Sequence, residues 1–196
     1  MPLHTEIFNS LYGAFRLLLL DQTGMRWFNL SITGFCRSFL AAVLIAPVYF
    51  LTMSLGSPNT AEPEGLFLIR SLQYLAGWVT FPLVMIVVVR FMGWSDRYIA
   101  YIVAYNWASV VMIGVMMPIT LLAEAMSTPL SGFTFADAAY YIVFMFTLFY
   151  GWFVALTALR IGQGIAIAIV LLDVIVGFAI SIGGALLLMP PPDVGF

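Results

Sequence analysis

The chain contains no lysine, and all 7 of its basic residues are arginine. Against them stand 9 acids and a formal net charge of -2. No basic field exists to hold a nucleic-acid backbone, and nucleic acid is excluded as a partner. Charged residues of every kind make up 8% of the sequence, where a soluble domain carries about a quarter. The single cysteine, Cys36, cannot form an internal disulfide. The single histidine, His4, cannot build a multi-histidine metal site or supply two haem ligands. A His-Glu-x-x-His helix motif, a Gly-x-Ser-x-Gly elbow, a phosphate loop and a close acid pair are absent as well. The intramembrane-protease and metal-hydrolase constellations therefore lack their parts, and the sequence predicts neither an enzyme nor a bound cofactor.

What is abundant is apolar surface: 63% of the 196 residues are hydrophobic. Unbroken apolar runs extend over about Cys36 to Leu55, Leu66 to Met92, Tyr98 to Ala123, Ala138 to Leu159 and Ile165 to Met189. Each is long enough to cross roughly 30 Å of hydrocarbon as a helix. A β-barrel is disfavoured, because its strands would alternate in units of about ten residues. The breaks carry turn chemistry: Gly56-Ser57-Pro58-Asn59, Glu62-Pro63-Glu64-Gly65, Gly93-Trp94-Ser95-Asp96, Ser127 to Gly132, and Gly162-Gln163-Gly164. The expected fold is all-α, a polytopic membrane helical bundle of five transmembrane helices preceded by a short N-terminal interfacial helix. Residues 1–34 form a cytoplasmic segment, 35–190 the membrane domain and 191–196 a short external tail.

The run Leu17 to Leu20 is short and flanked by Arg16 and Asp21, so it does not read as a signal peptide. From Glu6 to Leu20, Ile7, Phe8, Leu11, Tyr12, Phe15, Leu18 and Leu19 recur at helical spacing, with Asn9, Ser10 and Arg16 toward other faces. Such a helix either lies in the membrane interface or packs on the cytoplasmic end of the bundle. Arg16, Arg26, Arg37, Arg90, Arg97 and Arg160 fall near span ends on one side and only Arg70 on the other. The positive-inside rule makes that side the cytoplasm, with the N-terminus inside and the C-terminus outside. Glu62, Glu64, Glu124, Asp137 and Asp193 then lie toward the exterior, and Trp94 suits the cytoplasmic interface. An odd number of spans without visible self-similarity argues against two equal transporter repeats.

Asp173 is the least expected residue, because it falls about ten residues into the last run, where an ionised carboxylate costs roughly 2.5 to 3.5 kcal/mol. It needs a partner or a proton. Asp173, Gly177, Ser181 and Ala185 follow at four-residue spacing, a small-residue stripe of the kind that lets another helix approach. Thr147, Gly151, Ala155 and Ala158 make a second stripe, suited to an internal helix contact or a homodimer face. Asn106 lies at nearly the same depth as Asp173, about 12 Å against 15 Å from the cytoplasmic side, so the two side chains are expected to meet. Arg70 sits about 18 Å higher, placing it at the outer interface or beside Glu64 or Glu124. Asp173 with Asn106 is either a proton or cation site or a hydrogen-bonded joint between helices. Pro47, Pro82 and Pro118 interrupt spans and favour kinks. Nothing beside Cys36 except Arg37 would activate its thiol.

Two stretches carry a family resemblance. The run Arg97-Tyr98-Ile99-Ala100-Tyr101-Ile102-Val103-Ala104-Tyr105-Asn106-Trp107-Ala108-Ser109 resembles the polar-aromatic start of the third span in the Yip family, membrane proteins named for interaction with Ypt/Rab GTPases. The run Trp152 to Gly164, with Arg160 before a polar turn, is similar to that family's fourth-span exit. The resemblance covers about Phe35 to Met189 and suggests a bacterial relative. It implies a five-span fold in the cytoplasmic (inner) membrane and a non-enzymatic role in membrane organisation or as a partner-binding subunit. Its partners would be the lipid bilayer and another membrane protein or a second copy, as a homo-oligomer. The rival expectation is a small transporter or channel component using Asp173 and Asn106.

Overall fold

The computed structural model of the protein describes residues 2–55, 65–126 and 134–188, apart from the side chains of Met53, Ser54, Leu55 and Glu124. The Gly56 to Asn59 and Ser127 to Gly132 turns, Glu62, Glu64 and the 191–196 tail lie outside the described residues. All regular structure among the described residues is helical: α1 (Leu3–Leu18), α2 (Ile32–Ser38), α3 (Leu40–Leu55), α4 (Leu66–Met92), α5 (Tyr98–Met126), α6 (Phe135–Leu159) and α7 (Gln163–Leu187). Five segments are long and apolar enough to cross a membrane: Ile32–Thr52, Leu66–Met92, Ser95–Ala123, Phe135–Leu159 and Gln163–Leu187. The first of these joins α2 and α3.

Local chemistry sets the ends. α4 stops where Gly93 takes a left-handed conformation, φ 73°, while the Trp94 and Gly93 N–H groups donate to the Val89 and Arg90 carbonyls. α6 starts on a capping box: the Asp137 N–H donates to Thr134 Oγ1 at 3.2 Å, and the Thr134 N–H donates to Asp137 Oδ2 at 2.8 Å. At its other end Arg160 sits at φ 52°, and Arg97 Nη1 donates to the Leu159 carbonyl at 2.8 Å, satisfying an orphan acceptor and drawing the 93–97 and 160–162 turns together.

The three interior prolines do not break their helices; α3, α4 and α5 run through Pro47, Pro82 and Pro118. The break in the first long segment falls at Phe39, between α2 and α3, where neither proline nor glycine stands. Its cause is polar. Ser38 Oγ donates back to the Phe35 carbonyl at 2.7 Å and accepts Asn106 Nδ2 at 2.9 Å, with both side chains fully buried.

α5 is the central element and packs against α1, α2, α3, α4 and α6. Its first turns supply most of the core: Tyr101, Ile102, Val103, Ala104, Trp107 and Ala108 are all buried. α7 packs on α4 and α6. The outer faces of the long helices stay apolar and exposed, as Val87, Phe91, Ile142 and Leu187 illustrate.

α1 docks on α5 and α6, and the Tyr150 hydroxyl donates to the Ala14 carbonyl at 2.7 Å. The face it buries is the small and polar one: Glu6, Ser10, Gly13, Ala14 and Leu17 point inward, while Phe8, Tyr12, Phe15 and Leu19 are exposed. The apolar stripe is thus split: Phe8, Tyr12, Phe15 and Leu19 face outward, while Ile7, Leu11 and Leu18 are half-buried against the core. Glu6, 3% exposed, accepts Arg37 Nη1 at 2.6 Å and Asn29 Nδ2 at 2.9 Å, tying α1 to the start of the first long segment. Between them a 3-10 turn, Gln22–Trp27, is capped by Asp21, whose carboxylate accepts the Thr23 N–H at 2.9 Å and Arg16 Nε at 2.7 Å.

Candidate functional site

The polar centre of the bundle lies between α5 and α7. Tyr98, Tyr101 and Tyr105 follow one another at helical spacing on α5, putting three phenols along one side of it. The Tyr98 hydroxyl donates to the Pro82 carbonyl at 3.0 Å. The Tyr105 hydroxyl donates to Asp173 Oδ1 at 3.0 Å, and Asp173 Oδ2 has no protein donor among the described residues. Tyr105 also rests its ring against Phe81, with centroids 4.9 Å apart, which fixes the side on which its hydroxyl emerges.

Asn106 does not join this pair. It is the next residue along α5, about 100° further round the helix, and its amide reaches Ser38 instead. Its Oδ1 is buried without a partner among the described residues. The two residues expected to meet therefore belong to separate polar contacts: Asn106 steadies the break after α2, and Asp173 takes the tyrosine.

Two cavities flank the Tyr105–Asp173 bond. One, of about 500 Å³, lies among α5, α6 and α7 and is lined by Tyr101, Tyr105, Met112, Tyr150, Asp173 and Gly177 among others. The other, of about 400 Å³, lies among α3, α4, α5 and α7 and is lined by Tyr49, Arg70, Gln73, Trp78, Tyr105 and Ser181 among others. Tyr105, Ser109 and Gly177 border both. Around this space α4 packs on α5 and α7, and α6 does the same from the opposite side.

The small-residue positions divide between packing and space. Ala155 is fully buried in the core, and a Cβ on Gly151 would lie 3.7 Å from Val170 of α7. A Cβ on Gly177 would meet nothing within 4 Å, so here the missing side chain leaves room and no backbone fills it. Ser181 is exposed, and its carbonyl, like that of Ile180, accepts from Gln73 Nε2, at 3.3 and 3.1 Å. Arg70 is exposed at the rim of the second cavity; Glu64 and the Glu124 side chain, its expected partners, lie outside the described residues. Cys36 is exposed.

Sequence reasoning passed over Tyr105, Gln73, Ser38 and Glu6. The first had a visible signal in the tyrosine spacing on α5. Ser38 and Glu6 are ordinary polar residues whose importance comes from burial, and half-buried Gln73 matters through its bonds to the α7 carbonyls. Among the described residues no group of three or more His, Cys, Asp or Glu side chains is arranged to hold a metal ion. Comparison with protein-family models, with curated proteins and with solved structures gives no match.

Proposed function

We propose that the protein is a non-enzymatic, multi-pass protein of the cytoplasmic membrane that works as a small transporter or channel component, with Asp173 as the site a proton or cation must pass. One observation carries this reading: an acid within the apolar length of α7 has, among the described residues, a single protein donor, Tyr105, and borders a cavity of about 500 Å³. A carboxylate so placed needs a counter-charge or a proton, and residues of this kind mark ion and proton pathways in membrane helices. In proteoliposomes under an imposed pH gradient, the parent protein is expected to dissipate the gradient and Asp173→Asn to abolish that flux. The substitution keeps an acceptor for Tyr105 and adds no volume, so folding should survive. Equal flux from both proteins would sink the transport reading.

A second reading, a membrane-organising or partner-binding role of the Yip kind, draws support from the broad apolar face that α1 turns outward. Stoichiometric copurification with another membrane protein, joined to absence of Asp173-dependent flux, would favour it. In either case α1 lies in the interface with its apolar face toward lipid and its polar face on the bundle.

The orientation follows from the arginine distribution, and the adjacency of the 93–97 and 160–162 turns through Arg97 supports a single basic end. A reporter active only in the exterior, fused after Phe196, is expected to be active. If it is silent while a fusion within Gly93 to Asp96 is active, the protein is inverted.

A further inference from the structure

The larger cavity narrows the choice of ligand. Its volume of about 500 Å³ falls in the range that receives drug-sized molecules. A bare proton or a simple metal ion has no use for so much apolar wall, and small hard cations demand several oxygen ligands at once. Among the described residues Asp173 is the sole charged one in the lining. Ala108, Met112, Ile113, Met116, Val143 and Phe144 supply apolar surface, and Tyr101 and Tyr105 stand beside the acid. Thioethers and aliphatic chains adapt to an irregular apolar body, while a carboxylate flanked by aromatic rings attracts a diffuse positive charge.

We infer that the ligand of this cavity is an amphiphilic organic monocation, its charge at Asp173 Oδ2 and its apolar body along the α5–α6 wall. The inference rests on the reading of Asp173 as the working site and names the class of molecule that reaches it. Tyr105 is the divider. It borders both cavities, and its hydroxyl is held by the same carboxylate that the cation engages. A cation that takes up the charge of Asp173 weakens that hydrogen bond, because the acceptor oxygens lose electron density to the new partner. The tyrosine is then free to turn and join the two spaces. On the far side Arg70 borders the second cavity, so a monocation is disfavoured there and is held on the Asp173 side.

The test uses the full chain in zwitterionic phosphatidylcholine nanodiscs, titrated with tetraphenylphosphonium and, separately, with its anionic isostere tetraphenylborate, followed by equilibrium dialysis. Measured above the binding to protein-free nanodiscs, saturable uptake of the cation, no comparable protein-dependent uptake of the anion, and a loss of roughly ten-fold or more in cation affinity for Asp173→Asn are expected. Gly177→Phe, placed where a Cβ meets open space one turn beyond the acid, takes up part of the cavity while keeping the carboxylate and should weaken cation binding as well. Equal binding of the two isosteres, or unchanged cation affinity in a folded Asp173→Asn protein, overturns the inference. Should Asp173→Asn fail to fold, unchanged affinity in Gly177→Phe overturns it instead. Asp173-dependent proton flux without cation binding leaves transport standing and removes the organic ligand. Cation binding through Asp173 with no flux of any kind does the reverse.

Discussion

Arg37→Ala is expected to release the N-terminal segment from the bundle. Glu6 and Arg37 have side chains 4% and 36% exposed, so removing the arginine strands a carboxylate that water barely reaches. Breaking a buried ion pair from one side costs about 3 to 5 kcal/mol when both partners are desolvated. Arg37 is partly hydrated already, and Asn29 still donates to Glu6, which brings the expected cost to about 2 kcal/mol. That corresponds to a roughly thirty-fold larger open population. A cysteine at Ser10, which is 1% exposed, reports it through its rate of labelling by a water-soluble thiol reagent, measured in a Cys36→Ser background. Labelling should accelerate in Arg37→Ala and slow again in Glu6→Gln/Arg37→Ala, where no charge is stranded. Undiminished protection of residue 10 in Arg37→Ala would show that the pair does not hold α1.

Gly24→Ala should do comparable damage through sterics alone. A Cβ on Gly24 would lie 2.5 Å from the Gly13 carbonyl oxygen, 3.1 Å from Leu17 Cγ and 3.2 Å from Arg16 Cβ. In return, a Cβ on Gly13 would lie 2.8 Å from the Gly24 carbonyl oxygen. The nearest obstacle on each side is main chain, which cannot swing aside as a side-chain tip can. The 3-10 turn must therefore separate from α1, with the cost toward the upper end of the usual 1 to 3 kcal/mol for overpacking. Limited proteolysis within residues 19–31 should quicken markedly. Gly177→Ala provides the contrast: with nothing within 4 Å of the new methyl and about 1 kcal/mol of helix propensity to gain, it should be neutral or slightly stabilising. Identical protease resistance in Gly24→Ala and the parent would contradict the close approach.

The long helices were legible because hydrocarbon demands unbroken apolar runs, and Leu66–Met92 matches its run at both ends. The break at Phe39 was not, because it depends on Ser38 meeting Asn106, 68 residues away. At the polar centre, counting residues along α5 and α7 brought the right level of each helix to Asp173 but could not say how far each was turned. Tyr105 and Asn106 are neighbours at nearly one depth, and only the rotation of α5 decides which reaches the acid. For α1 the difficulty was a matter of solvent. Hydrophobic periodicity finds a stripe, and in water that stripe would face the protein. Close backbone approach instead falls to the face holding Ser10, Gly13 and Ala14, where a Cβ on Gly13 would lie 2.8 Å from the Gly24 carbonyl oxygen.

The contact between Tyr150 and the Ala14 carbonyl spans 136 residues of chain. At roughly 5 to 20 residues per second, about 7 to 27 seconds separate synthesis of the two. α1 thus leaves the ribosome long before α5 and α6 exist to receive it. Through that interval the face that holds Glu6, Ser10 and Ala14 has no bundle to pack on. Docking onto α6 thus becomes one of the last folding events of a piece made among the first.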